Sequence, residues 1–384
     1  MIQQPKDRSQ GEQLPYNSDI FSCCSAMTLT SAEGNPYWFR TCDFSRCVWE
    51  NGAHVVSFPA NFAIPFSDGK LSLHSKYAFM GISYTEADSW LLDGINSVGL
   101  VGGLLMLYEG TSVAVAEPCY HGVMGMELIT ALLATCASVE DVVAAVKNIQ
   151  LLNVPIGSCT EVAATMHYTL TDATGKTVVL EATNPDRPGI LQVYDKTIGL
   201  LTNSPCYPEQ ISNLSWYMSQ APELRYGPEG KPISALNLDG VIVPADQNAP
   251  HLNRDGTFPA AYAAYDRFVR GAVLKALNHN GRDFSDGQML PRGCGLMRPL
   301  FEPYTQGVYH YTGFDAEGRP VGRSDSYTQY MVMYNLRRPA MYLQPYDTTA
   351  WTRVVLSNCS KSAMERHPVC REAMSGVVYT QDMS

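Results

Sequence analysis

The chain has 384 residues, of which 45% are hydrophobic and 17% charged, so it has enough apolar material for a core and too little charge for a disordered protein. Acidic residues outnumber basic ones 37 to 27 and give a formal net charge of −10. This balance argues against a nucleic-acid-binding protein, because such proteins need a concentrated lysine and arginine surface. No stretch approaches the ~20 uninterrupted apolar residues of a membrane span.

The 11 cysteines are odd in number and irregular in spacing. They lack the paired Cys-x-x-Cys spacing of a zinc site, and a disulfide framework is not expected in a chain of this length. Reduced thiols in a cytoplasmic protein fit better. The polar N-terminus also lacks the apolar segment of a secretory signal, and its first 22 residues are expected to be a flexible leader.

A β-hairpin is predicted where this polar leader ends. Residues 28–30 alternate between polar and apolar, residues 33–36 (EGNP) form a turn, and residues 37–39 start a second strand. Cys23 and Cys24 therefore stand at the very start of the first strand.

Further strands and three helices follow. The strands are predicted at residues 54–58, 77–84, 99–107, 167–171, 177–181, 189–194, 327–335, 340–344 and 352–356. The helices are predicted at 124–136, at 142–149 after a capping pattern that begins at Ser138, and at about 260–277. This order suits sheets layered with helices, so the fold class is predicted to be α+β, with residues 359–384 as a peripheral C-terminal extension.

Reactive side chains are expected to meet at the start of the hairpin. The second strand returns beside the start of the first, which brings Arg40 and Asp43 close to Cys24. A guanidinium favours the thiolate form of a neighbouring cysteine, and a carboxylate can hold an ammonium group. Cleavage before Cys24 would create such a group, an α-amine that can act as a general base. The spacing alone leaves open that Cys24 is a buried strand cysteine and that Arg40 and Asp43 form a surface pair.

A longer pattern includes this hairpin. Cys24, the Gly34-Asn35 turn, Arg40 and Asp43 are followed, in order, by DGINSVGL at 93–100, the stretch 167–181 with its HY, TD and final Glu, GLLTNSP at 199–205, AYDRFVR at 264–270 and YTQY at 327–330. Together these segments resemble the choloylglycine hydrolase family, which includes bile salt hydrolases and penicillin V acylases. The family consists of N-terminal nucleophile amidases.

The resemblance implies a four-layer αββα sandwich of the N-terminal nucleophile hydrolase type. Residues 24–358 would form a single catalytic domain once residues 1–23 are removed. The protein would be a homotetramer that hydrolyses a linear amide bond and needs neither a cofactor nor a metal.

The resemblance also implies a role for each matched residue. Cys24 would be the nucleophile through its sulfur and the base through its freed amine, Asp43 would hold that amine, and Arg40 would tune the thiol. Asn203 would donate its side-chain amide to the oxyanion, and Arg267 would balance charge beside the nucleophile. Without the resemblance, Asn203 is a turn residue before Ser-Pro and Arg267 is a solvated arginine at a helix start.

Two features depart from the family pattern. Where bile salt hydrolases carry a second active-site asparagine, and penicillin V acylases often a tyrosine, this chain has Met106, which could assist an oxyanion only through its backbone N–H. The second departure is the leader, which implies autocatalytic cleavage of the Cys23–Cys24 bond. Cys23 is a rival N-terminus, but it would put the Arg and Asp one position out of the family spacing and on the other face of the strand.

The expected substrate is a glycine- or taurine-conjugated bile acid, with penicillin V or an N-acyl-homoserine lactone as the alternatives. Its steroid or phenoxyacetyl group would be bound by apolar side chains near the mouth of the site: Met27, Phe66, Leu105, Met106 and Tyr108.

Two other classes of protein stay open at this point. A papain-like thiol hydrolase would pair an internal cysteine with a separate histidine such as His167 and would need no cleavage. A non-catalytic binding protein would keep its leader and show no activity.

Overall fold

The computed structural model describes residues 22–44, 47–66, 71–84, 87–152, 166–220, 235–246, 259, 261–304, 310–314, 320–324, 326–369 and 380–383. Most of the predicted leader, residues 1–21, lies outside these ranges. Within them the strands are β1 (Ser22–Thr30), β2 (Pro36–Phe44), β3 (His54–Phe58), β4 (Phe79–Ser83), β5 (Leu91–Asn96), β6 (Val101–Met106), β7 (His121–Met124), β8 (Ile149–Leu152), β9 (Met166–Thr171), β10 (Thr177–Glu181), β11 (Gln192–Tyr194), β12 (Leu200–Leu201), β13 (Ala235–Leu238), β14 (Val241–Pro244), β15 (His310–Phe314), β16 (Pro320–Ser324), β17 (Tyr327–Asn335), β18 (Ala340–Pro345), β19 (Trp351–Val355), β20 (Glu365–His367) and β21 (Thr380–Met383).

Two large sheets organise these strands. A seven-stranded sheet has the order β12-β1-β2-β17-β18-β19-β21, and an eight-stranded sheet has the order β11-β10-β9-β6-β5-β4-β3-β20. Three two-stranded pairs, β7–β8, β13–β14 and β15–β16, stand beside them. The described helices are α1 (Leu128–Thr135), α2 (Val139–Val146), α3 (Tyr207–Gln220), α4 (Ala264–Leu277) and α5 (Asp286–Met297).

Strand β2 shows why the sheets stack as they do. All nine of its residues are buried, as expected for a strand covered on both faces. Alternate side chains point to opposite faces. Trp38 packs on Gly103 of the eight-stranded sheet, where a Cβ would lie 2.8 Å from the indole ring. Phe39 packs on Gly293 of α5, where a Cβ would lie 2.3 Å from the phenyl ring. The seven-stranded sheet thus lies between the other sheet and a helix.

The remaining helices complete the layers. Helix α1 packs on β5 and β6, and α4 packs on β1, so each sheet carries helices on its outer face. The Asn96 side chain ties the end of α1 to the eight-stranded sheet by donating to the carbonyls of Leu133 and Cys136, at 3.0 and 2.8 Å. The predicted α+β class and the four-layer αββα sandwich are confirmed. In the described residues no helix is long and apolar enough to cross a bilayer.

Several predicted boundaries shift. Strands β3, β10 and β17 have the predicted bounds. Helix α2 begins at Val139, directly after its cap Ser138, whose hydroxyl accepts from Asp141 N, and it ends at Val146. Ile149, predicted as the end of this helix, is the first residue of β8. Helix α4 begins at Ala264 and not near 260.

Two helices were not predicted. Helix α5 contains Pro291 and three glycines, a composition that argues against a helix in sequence, but packing on β2 stabilises it. Helix α3 starts directly after a Ser-Pro turn and has weak apolar periodicity. In the expected C-terminal extension, β20 and β21 each form the last strand of one large sheet.

Candidate active site

Cys24 lies on β1 with its side chain on the face that points toward the eight-stranded sheet. The β1–β2 register places Cys24 opposite Cys42 and Ala26 opposite Arg40, so these side chains share that face. The Nη2 atom of Arg40 lies 3.3 Å from the Cys24 sulfur. Both residues are completely buried. The hairpin therefore brings Arg40 to Cys24 as predicted, and the alternative of a surface pair is wrong, since Asp43 is also completely buried.

Arg40 is anchored by the eight-stranded sheet. Its Nη1 donates to the Leu92 carbonyl and to Asp93 Oδ2, the latter at 3.0 Å, and its Nη2 donates to the Leu104 carbonyl at 2.7 Å. Burial opposes the positive charge, but the negative groups around the guanidinium, Cys24 first among them, raise the pKa of Arg40 well above its ordinary value. Arg40 therefore stays cationic and favours the thiolate form of the neighbouring sulfur.

Asp93 is itself fixed from the seven-stranded sheet. Its two carboxylate oxygens accept hydrogen bonds from the hydroxyls of Tyr330 and Tyr334, which lie four positions apart on β17 and so share one face. Burial raises the pKa of Asp93, and the Arg40 charge and the two tyrosine hydroxyls oppose this rise by favouring the charged form. The result is a continuous chain of contacts from the β17 hydroxyls through Asp93 and Arg40 to the Cys24 sulfur.

The main chain of Cys24 is held by two more of the predicted residues, Asn203 and Arg267. Its N–H donates to Asn203 Oδ1, and its carbonyl accepts from Arg267 Nη1 at 2.8 Å. Arg267 Nη2 also donates to Asn203 Oδ1 at 3.0 Å, and its Nη1 donates to Ser25 Oγ at 2.7 Å. Arg267 is completely buried, so the alternative of a solvated helix-start arginine is wrong. Of the four residues predicted around Cys24, Arg40, Asn203 and Arg267 thus each touch a different part of it.

Asp43 lies on the opposite face of β2, among the helices. Its Oδ1 accepts from Thr328 Oγ1 at 2.6 Å, whereas its Oδ2 is buried and has no hydrogen-bond partner within the described residues. Arg267 Nη1 is 3.9 Å from this Oδ2, and Arg267 Nε is 3.7 Å from the buried carboxylate of Glu302. Burial, followed by the charge of Glu302, raises the pKa of Asp43 well above its usual range. A further positive charge beside these two carboxylates would lower the pKa of Asp43 again.

His167 holds the segment that carries Asn203. Its Nδ1 lies 2.8 Å from Glu181 Oε1 and its Nε2 lies 2.7 Å from the Thr202 carbonyl. Glu181 also accepts from the backbone N–H of Tyr207, at the start of α3. Because both ring nitrogens are engaged with these groups, His167 is not placed to act as the base of a papain-like pair.

The five side chains predicted to line a pocket differ in how far they are exposed to solvent. Met27 and Leu105 are completely buried, Phe66 and Met106 are 7% and 5% exposed, and Tyr108 is 49% exposed. The Met106 carbonyl accepts from Asn203 Nδ2 at 3.1 Å, so Met106 does reach the site, through an acceptor. The predicted donation from its backbone N–H to an oxyanion stays a prediction.

Glu302, Thr328 and Asp93 were not assigned roles from the sequence. Asp93 and Thr328 fall inside segments already matched to the family pattern, and the two tyrosines of β17 show a same-face spacing that could have indicated a shared partner. Glu302 follows Leu300 and Phe301 in a segment without a motif. It reaches the site only because the chain folds back from α5 toward β17.

Comparison with known proteins agrees with this geometry. The sequence model described as "Linear amide C-N hydrolases, choloylglycine hydrolase family" matches residues 24–284, more than half of the chain, and its match begins at Cys24. The chain belongs to the choloylglycine hydrolase family. Like that family as a whole, it is a linear amide C–N hydrolase.

Three individual relatives are each less than 30% identical to this chain. A bile salt hydrolase/transferase of Clostridium perfringens is 29% identical over 273 residues, which cover 68% of this chain and 75% of that protein. Among solved structures, a variant of conjugated bile acid hydrolase from Clostridium perfringens has a TM-score of 0.71 at 22% identity, covering 93% of this chain and all of that one. Penicillin V acylase from Agrobacterium tumefaciens has a TM-score of 0.62 at 17% identity, covering 94% of this chain and 95% of that one. At these identities the two solved structures establish the shared fold.

Proposed function

We propose that the mature protein is an N-terminal nucleophile amidase in which Cys24 is both nucleophile and general base. One observation carries the proposal: the sulfur, the nitrogen and the carbonyl of Cys24 are each held by a different residue of the matched family pattern. The sulfur contacts Arg40, the nitrogen contacts Asn203, and the carbonyl contacts Arg267. Contacts that fix the sulfur, the nitrogen and the carbonyl together suit a residue that reacts through both its sulfur and its nitrogen.

The α-amine must first be released from its peptide bond. In the proposed cleavage the Cys24 sulfur attacks the Cys23 carbonyl carbon, a C–S bond forms, and the C–N bond breaks as the nitrogen takes a proton. Water then hydrolyses the thioester, which returns the thiol and frees residues 1–23 with a new carboxylate. The liberated ammonium is a positive charge that favours the ionised form of Asp43, whose Oδ2 has no hydrogen-bond partner within the described residues.

Turnover uses the same pair of groups. An α-amine has an ordinary pKa of about 8, so its neutral form is available near neutral pH to take the thiol proton. The thiolate attacks the amide carbonyl, the ammonium returns its proton to the leaving amine, and a thioester remains on Cys24. A water molecule, deprotonated by the same amine, hydrolyses the thioester and releases the acid.

Asn203 supports the oxyanion in this proposal. Its side-chain NH₂ carries two hydrogens, and one already donates to the Met106 carbonyl. The second hydrogen remains for the negative oxygen of the tetrahedral intermediate. Loss of one such donor typically costs about 2.7–4 kcal/mol of transition-state stabilisation.

The proposed substrate is a bile acid conjugated to glycine or taurine. The supporting observation is the 29% identity to a protein named bile salt hydrolase/transferase over 68% of this chain. Penicillin V and an N-acyl-homoserine lactone, whose cleavage needs the same amide chemistry, are the alternative substrates.

The test combines mass analysis with an assay. Purified protein should have the mass of residues 24–384, and it should release amine faster from glycocholate or taurocholate than from penicillin V or a homoserine lactone. Cys24→Ala should keep residues 1–23 and release no amine. Cys119→Ala, which removes an exposed cysteine, is the matched control and should be cleaved and active.

Each failure has its own meaning. A full-length, inactive chain would support a non-catalytic binding protein. A full-length chain that hydrolyses amides would support a nucleophile that needs no free amine. Cleaved protein that prefers penicillin V or the lactone would keep the mechanism and replace the proposed substrate.

A further inference from the structure

A second group of reactive side chains lies near the C-terminus, outside the residues matched to the family. Cys359 follows a single 3₁₀ turn after β19, and Glu365 and His367 lie on β20. Strand β20 pairs with β3 at the end of the eight-stranded sheet, with His367 opposite Val55. The family match ends at residue 284, and none of these three residues was given a role in the amidase above.

The three side chains converge on one point. One ligand-type atom from each, the Cys359 sulfur, a Glu365 carboxylate oxygen and a His367 ring nitrogen, lies within 4.8 Å of the other two. The Cys359 sulfur is 3.7 Å from His367 Nε2. Glu365 and His367 are two positions apart on a strand, so they share a face.

These spacings fit a tetrahedral metal ion. Zinc bonds of about 2.0–2.3 Å place neighbouring ligand atoms about 3.3–3.8 Å apart. The thiol–imidazole pair already has this separation, and a Glu365 carboxylate oxygen lies within 4.8 Å of both. Ser360 N–H orients one ligand by donating to Glu365 Oε2 at 2.8 Å. The Ser57 hydroxyl, 2.8 Å from His367 Nε2, gives up this contact when the lone pair of that nitrogen binds the metal.

The set of ligand atoms selects the class of metal. A thiolate and an imidazole favour zinc and other late transition metals, whereas magnesium and calcium need sites built from oxygen atoms. Cys359 is only 8% exposed, and the other two residues are partly exposed. A water molecule can therefore reach a fourth coordination position.

We propose that Cys359, Glu365 and His367 bind one Zn²⁺ ion, with water as the fourth ligand, and that this ion ties the turn after β19 to β20 at the edge of the eight-stranded sheet. On binding, the Cys359 thiol releases its proton to solvent and a sulfur–zinc bond forms. The family resemblance implies no metal, and the cysteines lack the Cys-x-x-Cys spacing of a zinc site. The spacing here is Cys-x₅-Glu-x-His.

The test is metal binding to the purified protein. We expect one equivalent of zinc by elemental analysis after incubation with zinc and gel filtration. Cobalt in place of zinc should give the thiolate-to-cobalt absorption band and the intense visible bands of a tetrahedral site. Cys359→Ser should abolish the thiolate band, and both Cys359→Ser and His367→Ala should weaken metal binding by more than about tenfold.

Two further variants decide the remaining outcomes. Cys119→Ser removes an exposed cysteine outside the cluster and should bind cobalt like the parent. Glu365→Gln, the mildest change, should fold and still bind more weakly than the parent. Zinc should also raise the melting temperature of the parent and not that of Cys359→Ser. No bound metal, or a cobalt band that persists in Cys359→Ser, would mean an adventitious ion only and would overturn the proposal.

Discussion

Arg40 is the charged residue that directly contacts the Cys24 sulfur and is expected to control its ionisation. It touches the sulfur at 3.3 Å and is held by Asp93 and by two carbonyls. We expect Arg40→Gln to slow alkylation of Cys24 at pH 7 by about tenfold or more, because loss of a neighbouring opposite charge shifts the thiol equilibrium by at least that factor. Alkylation with iodoacetamide, located on Cys24 by peptide mass analysis, measures this.

The matched control removes the same charge at the surface. Arg338 is exposed on the β17–β18 turn, and Arg338→Gln should leave the pH profile of alkylation unchanged. An Arg40→Gln profile that coincides with that of the parent would show that the guanidinium does not control the ionisation of the sulfur.

Asp43 provides a prediction about stability and pH in the uncleaved chain. Burial and Glu302 raise the pKa of Asp43 in the folded state above its unfolded value of about 3.9. The folded state therefore binds the proton more tightly, and the resulting stability, fully present below pH ~3.9, is lost as the pH rises through the folded-state pKa. In a Cys24→Ala background, Asp43→Asn should remove this loss. Urea unfolding between pH 4 and about 8 should show a flatter curve for the double variant.

The exposed Asp186 is the control for this effect. Cys24→Ala/Asp186→Asn should follow the pH dependence of Cys24→Ala alone. If Cys24→Ala and its Asp43→Asn derivative lose stability in parallel as the pH rises, burial does not disfavour the Asp43 charge.

At the scale of elements, the packing of α5 on β2 depends on one glycine. A Cβ at Gly293 would lie 2.3 Å from the Phe39 ring, whereas a Cβ at Gly295 of the same helix would meet nothing within 4 Å. Gly293→Ala should therefore destabilise the protein by about 1–3 kcal/mol through overpacking. Gly295→Ala should stabilise it by up to about 1 kcal/mol through helix propensity. Chemical denaturation of both variants checks the sign. Equal effects would contradict the observed packing.

The contact from β9 to the segment after β12 depends on His167. His167→Asn leaves the Thr202 carbonyl and Glu181 without their buried partner, so we expect a loss of about 2–4 kcal/mol in the free energy of unfolding. The same substitution at His279, an exposed residue paired with Asp283, should change stability by less than about 0.5 kcal/mol. Activity of the folded His167→Asn protein should fall as well, since Asn203 follows Thr202. Urea unfolding that gives equal losses for both variants would show that the His167 contacts are not stabilising.

Local features of the molecule could be predicted from the sequence, and long-range ones could not. The β1–β2 hairpin, its turn and the return of Arg40 to Cys24 follow from neighbouring residues, and so does the Ser138 cap of α2. Helix α5 could not be predicted because its stability comes from contact with β2, while its proline and glycines oppose a helix.

The same limit applies to the site. Glu302 reaches Arg267 from a part of the chain with no motif, and the unpaired oxygen of Asp43 is visible only once the surrounding side chains are placed. Asp93 stands in a matched segment, but its partnership with two tyrosines more than 230 positions away depends on how the two sheets stack. The sequence could therefore indicate which residue types belong to the site, but it could not predict the contacts that these residues make across the sandwich.

At the scale of the whole molecule, the N-terminal boundary of the catalytic domain coincides with the proposed cleavage site. The family match begins at Cys24, while 23 residues precede it. Removal of residues 1–23, the end of the domain at residue 358 and the homotetramer stay predictions. Only the first of them bears on how the enzyme works, because without it Cys24 has no free amine.

Peptide mass analysis of the enzyme stopped during turnover is therefore the most direct measurement. After acid quenching and trypsin digestion, the acyl group of the substrate should be found on Cys24, in a peptide that begins with Cys24 and ends at Arg40. An acyl group on any other cysteine, or on Cys24 still joined to Cys23, would contradict the proposed mechanism.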